Sequence, residues 1–146
     1  MIILDTNVVS EPMKPDGDRG VQDWLDEQNA ETLYLTSISL SELLLGVEVL
    51  PDGKRKVGLG AALSELLATL FGARVLPFDQ QAATMYAARI SRARAAGQAI
   101  SMADGQIAAI AAVHGFTVAT RDTAPFIAAG VPVVNPWEVG GQSAKR

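Results

Sequence analysis

Four acidic residues stand in unusually apolar company. Asp5 ends the run Ile2-Ile3-Leu4, and Glu42 sits inside Ser39-Leu40-Ser41-Glu42-Leu43-Leu44-Leu45. Asp104 sits inside Ser101-Met102-Ala103-Asp104-Gly105-Gln106-Ile107-Ala108-Ala109, and Asp122 follows Thr117-Val118-Ala119-Thr120 with one residue between. Each acid has a local explanation. Ser39-x-x-Glu42 and Ser101-x-x-Asp104 resemble capping boxes. Asp5 suits an Asx-turn, and Asp122 suits the cap of a following helix. Independent caps, however, need not share one place, whereas a catalytic site requires it. Two carboxylates about 4 Å apart repel by about 4 kcal/mol at an effective dielectric near 20. A converging set therefore needs a cation or raised pKa values. An all-oxygen donor set suits a hard ion, Mg²⁺ or Mn²⁺, whose shell is completed by water and substrate phosphate. Such an ion acidifies a bound water and stabilises the leaving oxygen, which is the chemistry of phosphodiester hydrolysis.

Composition removes the competing chemistries. The 146 residues contain no cysteine, so there is no disulfide framework, thiolate metal site or cysteine nucleophile. That also fits a reducing cytoplasm, the expected location. A single histidine, His114, excludes a multi-histidine zinc site. Before Gly115 it reads as a helix-end residue with no catalytic role. Sixteen acids against twelve bases give a net charge of -4, so attraction to nucleic acid must be local. The start reaches Asp5 too soon for a signal peptide, and apolar runs are broken by charge well short of a membrane span.

The elements that must carry the acids alternate in type. Strands are expected at residues 2–4, 33–36, 74–78, 117–120 and 131–134, the last at an edge because of Pro132. Helices are expected at 21–28, 38–50, 61–71, from an Asp79 N-cap to 96, at 101–113, and over the short stretch 125–129. Gly97 and Gly115 read as helix ends. The pattern predicts one three-layer α/β/α domain at 1–138 with a mainly parallel sheet, and a flexible tail at 139–146. In such a sheet the active crevice lies at the carboxyl ends of the strands, where Asp5 and Asp122 fall.

Taken together, Asp5-Thr6-Asn7 after the first strand, Ser41-Glu42-Leu43 with Gly46, Asp104-x-x-Ile107-Ala108-Ala109 and Thr120-Arg121-Asp122 resemble the PIN-domain ribonucleases. Within them the chain is similar to the VapC toxins, and Phe126 to Gly130 with Asn135-Pro136-Trp137 resembles the FitB branch. The resemblance spans residues 1 to about 138. It implies a Mg²⁺- or Mn²⁺-dependent endoribonuclease, the toxin of a type II toxin–antitoxin pair, leaving a 5′-phosphate and a 3′-hydroxyl. It makes Asp5, Glu42, Asp104 and Asp122 the acidic cluster, with Asp5 and Asp104 as direct ligands. Glu42 and Asp122 would act through water or by orienting the nucleophile. Thr6, Asn7 and Thr120 would support the cluster. The implied partners are RNA, a VapB- or FitA-like antitoxin whose C-terminal segment covers the cleft, a second copy of the chain, and promoter DNA through the antitoxin only. Two alternatives compete. A haloacid-dehalogenase-type phosphohydrolase needs a second Asp two residues after the first, and position 7 is Asn. A catalytically silent regulatory module of the same fold has no need of the intact acidic set.

Candidates for a local basic rim are Arg121 beside the acids, Arg89, Arg92 and Arg94 on one helix, and Lys54-Arg55-Lys56 in a loop. The two latter groups read equally well as solvated surface. Trp24 and Trp137 read as packing residues, and Met13, Met85 and Met102 as core or interface filler. The apolar helix at 38–50 and the helix after it carry more apolar surface than one sheet face needs, which suggests an antitoxin groove.

Overall fold

The structure, a computed structural model, describes residues 1–139. Five strands form one sheet in the order β3-β2-β1-β4-β5, and every pairing is parallel. They are β1 (Ile2–Leu4), β2 (Leu33–Thr36), β3 (Val75–Leu76), β4 (Thr117–Ala119) and β5 (Val133–Val134). β2 and β3 lie on one side of β1, and β4 and β5 on the other. The order therefore reverses between β1 and β4, and side chains at the carboxyl ends of these two strands face a ready-made crevice. The register Leu4↔Ala119 sets Asp5 beside Thr120.

The helices that cover the sheet are α1 (Thr6–Ser10), α2 (Arg19–Glu27), α3 (Ser37–Glu48), α4 (Lys54–Leu66), α5 (Gln80–Ala95), α6 (Met102–His114) and α7 (Ala124–Ala128). Two apolar cores result, one on each face. The first gathers Leu4, Val8, Trp24, Leu35, Leu63 and Phe71. The second gathers Ile3, Ile107, Ile110, Val118 and Phe126. Trp24 is thus a packing residue. Successive residues of β1 serve opposite cores, as pleat alternation requires. Asp79 caps α5 by accepting from Ala82 N (2.9 Å), and Gly115 closes α6 with φ of 69°.

The Asp5 carboxylate caps a helical turn, α1, directly after the first strand. One expectation needs correction. α4 starts at Lys54, not near residue 61, so Lys54, Arg55 and Lys56 lie on a helix. Gly58 and Gly60 cost helix propensity of roughly 1 kcal/mol each. Packing overrides it: α4 lies on α3 and sinks Leu63 into the first core, and Leu67–Phe71 continues the helix with a π turn. Met102 is 68% exposed, so of its two readings, core or interface filler, the core one falls away. Val139, placed in the tail by sequence, bonds the Asn135 carbonyl within a closing helical turn; the rest of that tail, 140–146, lies outside the described residues. No helix among the described residues is long and apolar enough to cross a membrane.

Candidate active site

The β1–β4 crevice is built around one buried hydroxyl. Thr120, with no exposed surface, donates from Oγ1 to Asp5 Oδ2 (2.8 Å). The same oxygen accepts from Asp122 N (3.1 Å) and from Asn7 Nδ2 (3.5 Å). Asn7 Oδ1 in turn accepts from Arg121 N (3.4 Å). Asp5 Oδ1 accepts from Thr6 N (2.8 Å), and Asp5 N donates to Ala119 O. Asp5 is 6% exposed, yet these bonds use only two of the roughly four acceptor positions of its carboxylate. The remaining lone pairs need a partner in the crevice.

α3 and α6 bring the other acids. Thr36, at the end of β2, caps α3 by accepting from Ser39 N (3.1 Å). Ser39 is therefore not the cap, and Glu42 lies too deep in the helix to serve in a capping box. Ser101 does cap α6, accepting from Asp104 N (3.2 Å). Next to Asp104, Gly105 lets α5 come close: a Cβ there would stand 2.9 Å from Tyr86 Cε2. Asp122 is no cap either, since α7 begins at Thr123 without a side-chain bond. Two local explanations thus fail, and the other two hold alongside a shared site.

The electrostatics show that the four acids occupy one field. Burial raises the pKa of Asp5 most; the Thr120 hydroxyl and Thr6 N–H oppose this, and the charges of Asp104 and Asp122 add to it. Glu42 is raised by loss of water, then by Asp5 and Asp104, although its side chain reaches the surface. Asp104 is raised by burial and by Asp122, against the Ser101 hydroxyl. Among the described residues, no group of three or more His, Asp or Glu side chains is already close enough to hold an ion. The set still fits Mg²⁺, which takes one or two direct carboxylates and keeps its waters. Thr6 Oγ1, buried and without a hydrogen bond of ordinary geometry, supplies an orphaned oxygen at the same place.

The basic rim is smaller than the sequence suggested. Arg89 is structural: its Nη1 donates to Ala129 O (3.1 Å) and Gly130 O (2.9 Å). Lys56 ties the α3–α4 turn through Glu48 O (3.0 Å) and Asp52 (3.6 Å). Arg121 is exposed, with its guanidinium 5.1 Å from the centre of the Trp137 ring. Sequence reasoning passed over Glu11. This buried carboxylate accepts from Asp18 N (3.0 Å) and pairs with Lys14 (3.2 Å). The Asp18 bond does most to lower its pKa, and Lys14 and Arg121 add to the effect. Only the acid ahead of Pro12 in a turn-rich stretch could have drawn attention to it.

A parallel sheet with acids and a threonine hub at its switch point defines an α/β domain with an acidic crevice. The sequence profile of the PIN domain matches residues 2–131, and the chain belongs to the PIN-domain family. Among its relatives, VapC ribonuclease Y4jK of Sinorhizobium fredii is 51% identical over 94% of this chain and 99% of its own length. Toxin FitB of Neisseria gonorrhoeae is 49% identical, with 94% and 99% covered. The crystal structure of FitAcB from Neisseria gonorrhoeae superposes with a TM-score of 0.90 at 49% identity, covering 94% of this chain and 99% of that one. The structure of FitAB bound to an IR36 DNA fragment gives 0.90 at 47%, covering 94% and 96%.

Proposed function

We propose that the protein is a Mg²⁺- or Mn²⁺-dependent endoribonuclease, the toxin of a toxin–antitoxin pair acting in the cytoplasm. The observation that carries this is the gathering of Asp5, Glu42, Asp104 and Asp122 at one crevice, where loss of water first and the neighbouring carboxylates second raise the pKa values of Asp5, Glu42 and Asp104. Asp5 and Asp104, the more buried of the four, would hold a divalent ion directly. That ion, when bound, supplies an acidified water and neutralises charge on the leaving oxygen. Glu42 and Asp122, at the surface, would orient the attacking water. Thr120 and Thr6 N–H fix the Asp5 carboxylate, and Asn7 fixes the 120–121 backbone. Arg121 offers the RNA backbone a cation beside an otherwise acidic site.

The same reading includes a partner. A groove of about 730 Å³ runs between α3 and α4 from Thr6 and Glu42 past Leu43, Val47, Leu59 and Leu63, with Arg55 also on its wall. Its apolar lining suits an amphipathic segment of a VapB- or FitA-like antitoxin ending at the acids. Leu44, Leu45, Val49 and Val57 stay exposed, which supports burial against a second copy of the chain. Promoter DNA would be bound through the antitoxin alone. Residues 1–138 act as one unit in this account.

Incubating the purified protein with labelled RNA tests the reading. Cleavage should require Mg²⁺ or Mn²⁺, stop with EDTA, leave 5′-phosphates, and disappear in Asp5→Asn. Cleavage without metal, or none with any RNA, contradicts it.

A further inference from the structure

A second cavity, of about 390 Å³, opens from Asp104 and Asp122 away from the α3–α4 groove. Its lining comes from α7 (Ala124, Pro125 and Ala128) and from the α5–α6 turn (Gln98 and Ala99). Alanines and a proline give small, flat, apolar surfaces, the kind of wall against which a planar ring lies without competing side chains. Beside the two acids, Ser101 and Gln98 are the polar members, and the Ser101 hydroxyl is engaged as the α6 cap. The Gln98 backbone is fixed by a bond from its own N to Ala93 O (2.9 Å), made possible by Gly97 at φ of 77°. Its side-chain amide makes no hydrogen bond among the described residues, so a donor and an acceptor remain free on a rigid mount.

We infer that this cavity seats one RNA base next to the scissile phosphate, with the Gln98 amide reading its hydrogen-bonding edge. The inference rests on the nuclease reading above and adds a specificity site to it. Location decides the ligand: a group in this cavity lies within one nucleotide of the acids. The volume is ample for a nucleoside and too large for a phosphate alone. A free carboxamide presents the paired donor and acceptor that nucleobase edges match, with adenine the best fit. RNA nucleases reach such an edge most readily on single strands, where bases are splayed out.

Deep sequencing of cleavage ends from a randomised RNA pool tests this. Wild type should favour one base at a position adjoining the cut, by about 10-fold. Gln98→Ala should reduce that bias to under about 2-fold while still cutting the pool in Mg²⁺. Ala99→Trp, an exposed turn substitution that fills the cavity, should weaken binding of a short single-stranded RNA in EDTA by about 10-fold. It should leave hydrolysis of bis(p-nitrophenyl) phosphate, which has no base, within about 2-fold. A wild type that cuts without preference beside the cut overturns the inference, as does an unchanged bias in Gln98→Ala or unchanged RNA binding in Ala99→Trp. A wild type that cuts no RNA at all is a different failure, that of the nuclease reading itself.

Discussion

The two sides of β1 are built on opposite principles. Toward β4, Asp5 and Thr120 are held by a chain of hydrogen bonds, with the buried Thr6 Oγ1 beside them left without one, and the cost is electrostatic: carboxylates crowd where water is scarce. Toward α3 and α4, polar bonds are few and apolar surface is left open, with Leu45 62% and Val57 73% exposed. The first region is rigid and strained by charge, so it needs a cation. The second is relaxed but unburied, so it needs a protein. Their boundary runs through Thr6 and Glu42, which belong to both the acid cluster and the groove. A segment filling the groove from α4 arrives at the acids, which links inhibition to binding by geometry alone.

This contrast predicts opposite responses to substitution. The largest effect is expected at Asp5. Asp5→Asn should lower RNA cleavage by more than about 100-fold, since even residues that only support metal ligands cost roughly 10–100-fold. The same change should raise the metal-free melting temperature at neutral pH. The sign follows from linkage: Asp5, Glu42 and Asp104 have raised pKa values in the fold. The stability they contribute is complete below their unfolded values near pH 4 and is lost as pH rises through the folded ones. The loss from these groups should begin as pH rises above about 4 and should be smaller in Asp5→Asn than in wild type, while the lowered Glu11 acts in the opposite sense in both proteins. Calorimetry of the metal-free proteins from about pH 4 to 7.5 checks the difference between them. Thr120→Val comes next. It keeps the shape but strands Asp122 N and removes the donor to Asp5 Oδ2, costing about 1–3 kcal/mol of stability and roughly 10–100-fold in activity. Urea unfolding and RNA cleavage measure the two.

Across the boundary, Leu59→Asp in the groove should weaken antitoxin binding by at least about 10-fold while changing stability by less than about 1 kcal/mol. Titration calorimetry with the partner peptide would separate these; loss of the fold would show that the groove is core, not interface. Smallest is Arg121→Ala, which should reduce the slope of log affinity for single-stranded RNA against log salt by about 0.7. An unchanged slope would remove Arg121 from the RNA path.

The sequence disclosed the strained region more fully than the relaxed one. Asp5 sits at the end of an apolar strand, and strand ends in a parallel sheet meet, so short-range pattern is enough to find it, whereas Thr120 enters only through the family resemblance. Gly97 and Gly115 likewise announced helix ends through backbone freedom. α4 was placed too late because Gly58 and Gly60 weaken local helix propensity, and what restores it is packing on α3, a contact distant in sequence. Arg89 was read as surface for a similar reason, because its carbonyl partners lie 40 and 41 residues away. Glu42 resembled half of a capping box until Thr36, three residues before Ser39, proved to hold the cap. Contacts set by tertiary approach leave no periodic trace.

The most direct measurement is the melting temperature at pH 7.5 with and without Mn²⁺, for wild type and Asp5→Asn. At about 100 times the dissociation constant, wild type should melt about 5–10 °C higher with the ion. Asp5→Asn should start higher and barely move. A wild type indifferent to Mn²⁺, or an Asp5→Asn protein stabilised just as much, would contradict the claim that these acids form one site strained by its own charge.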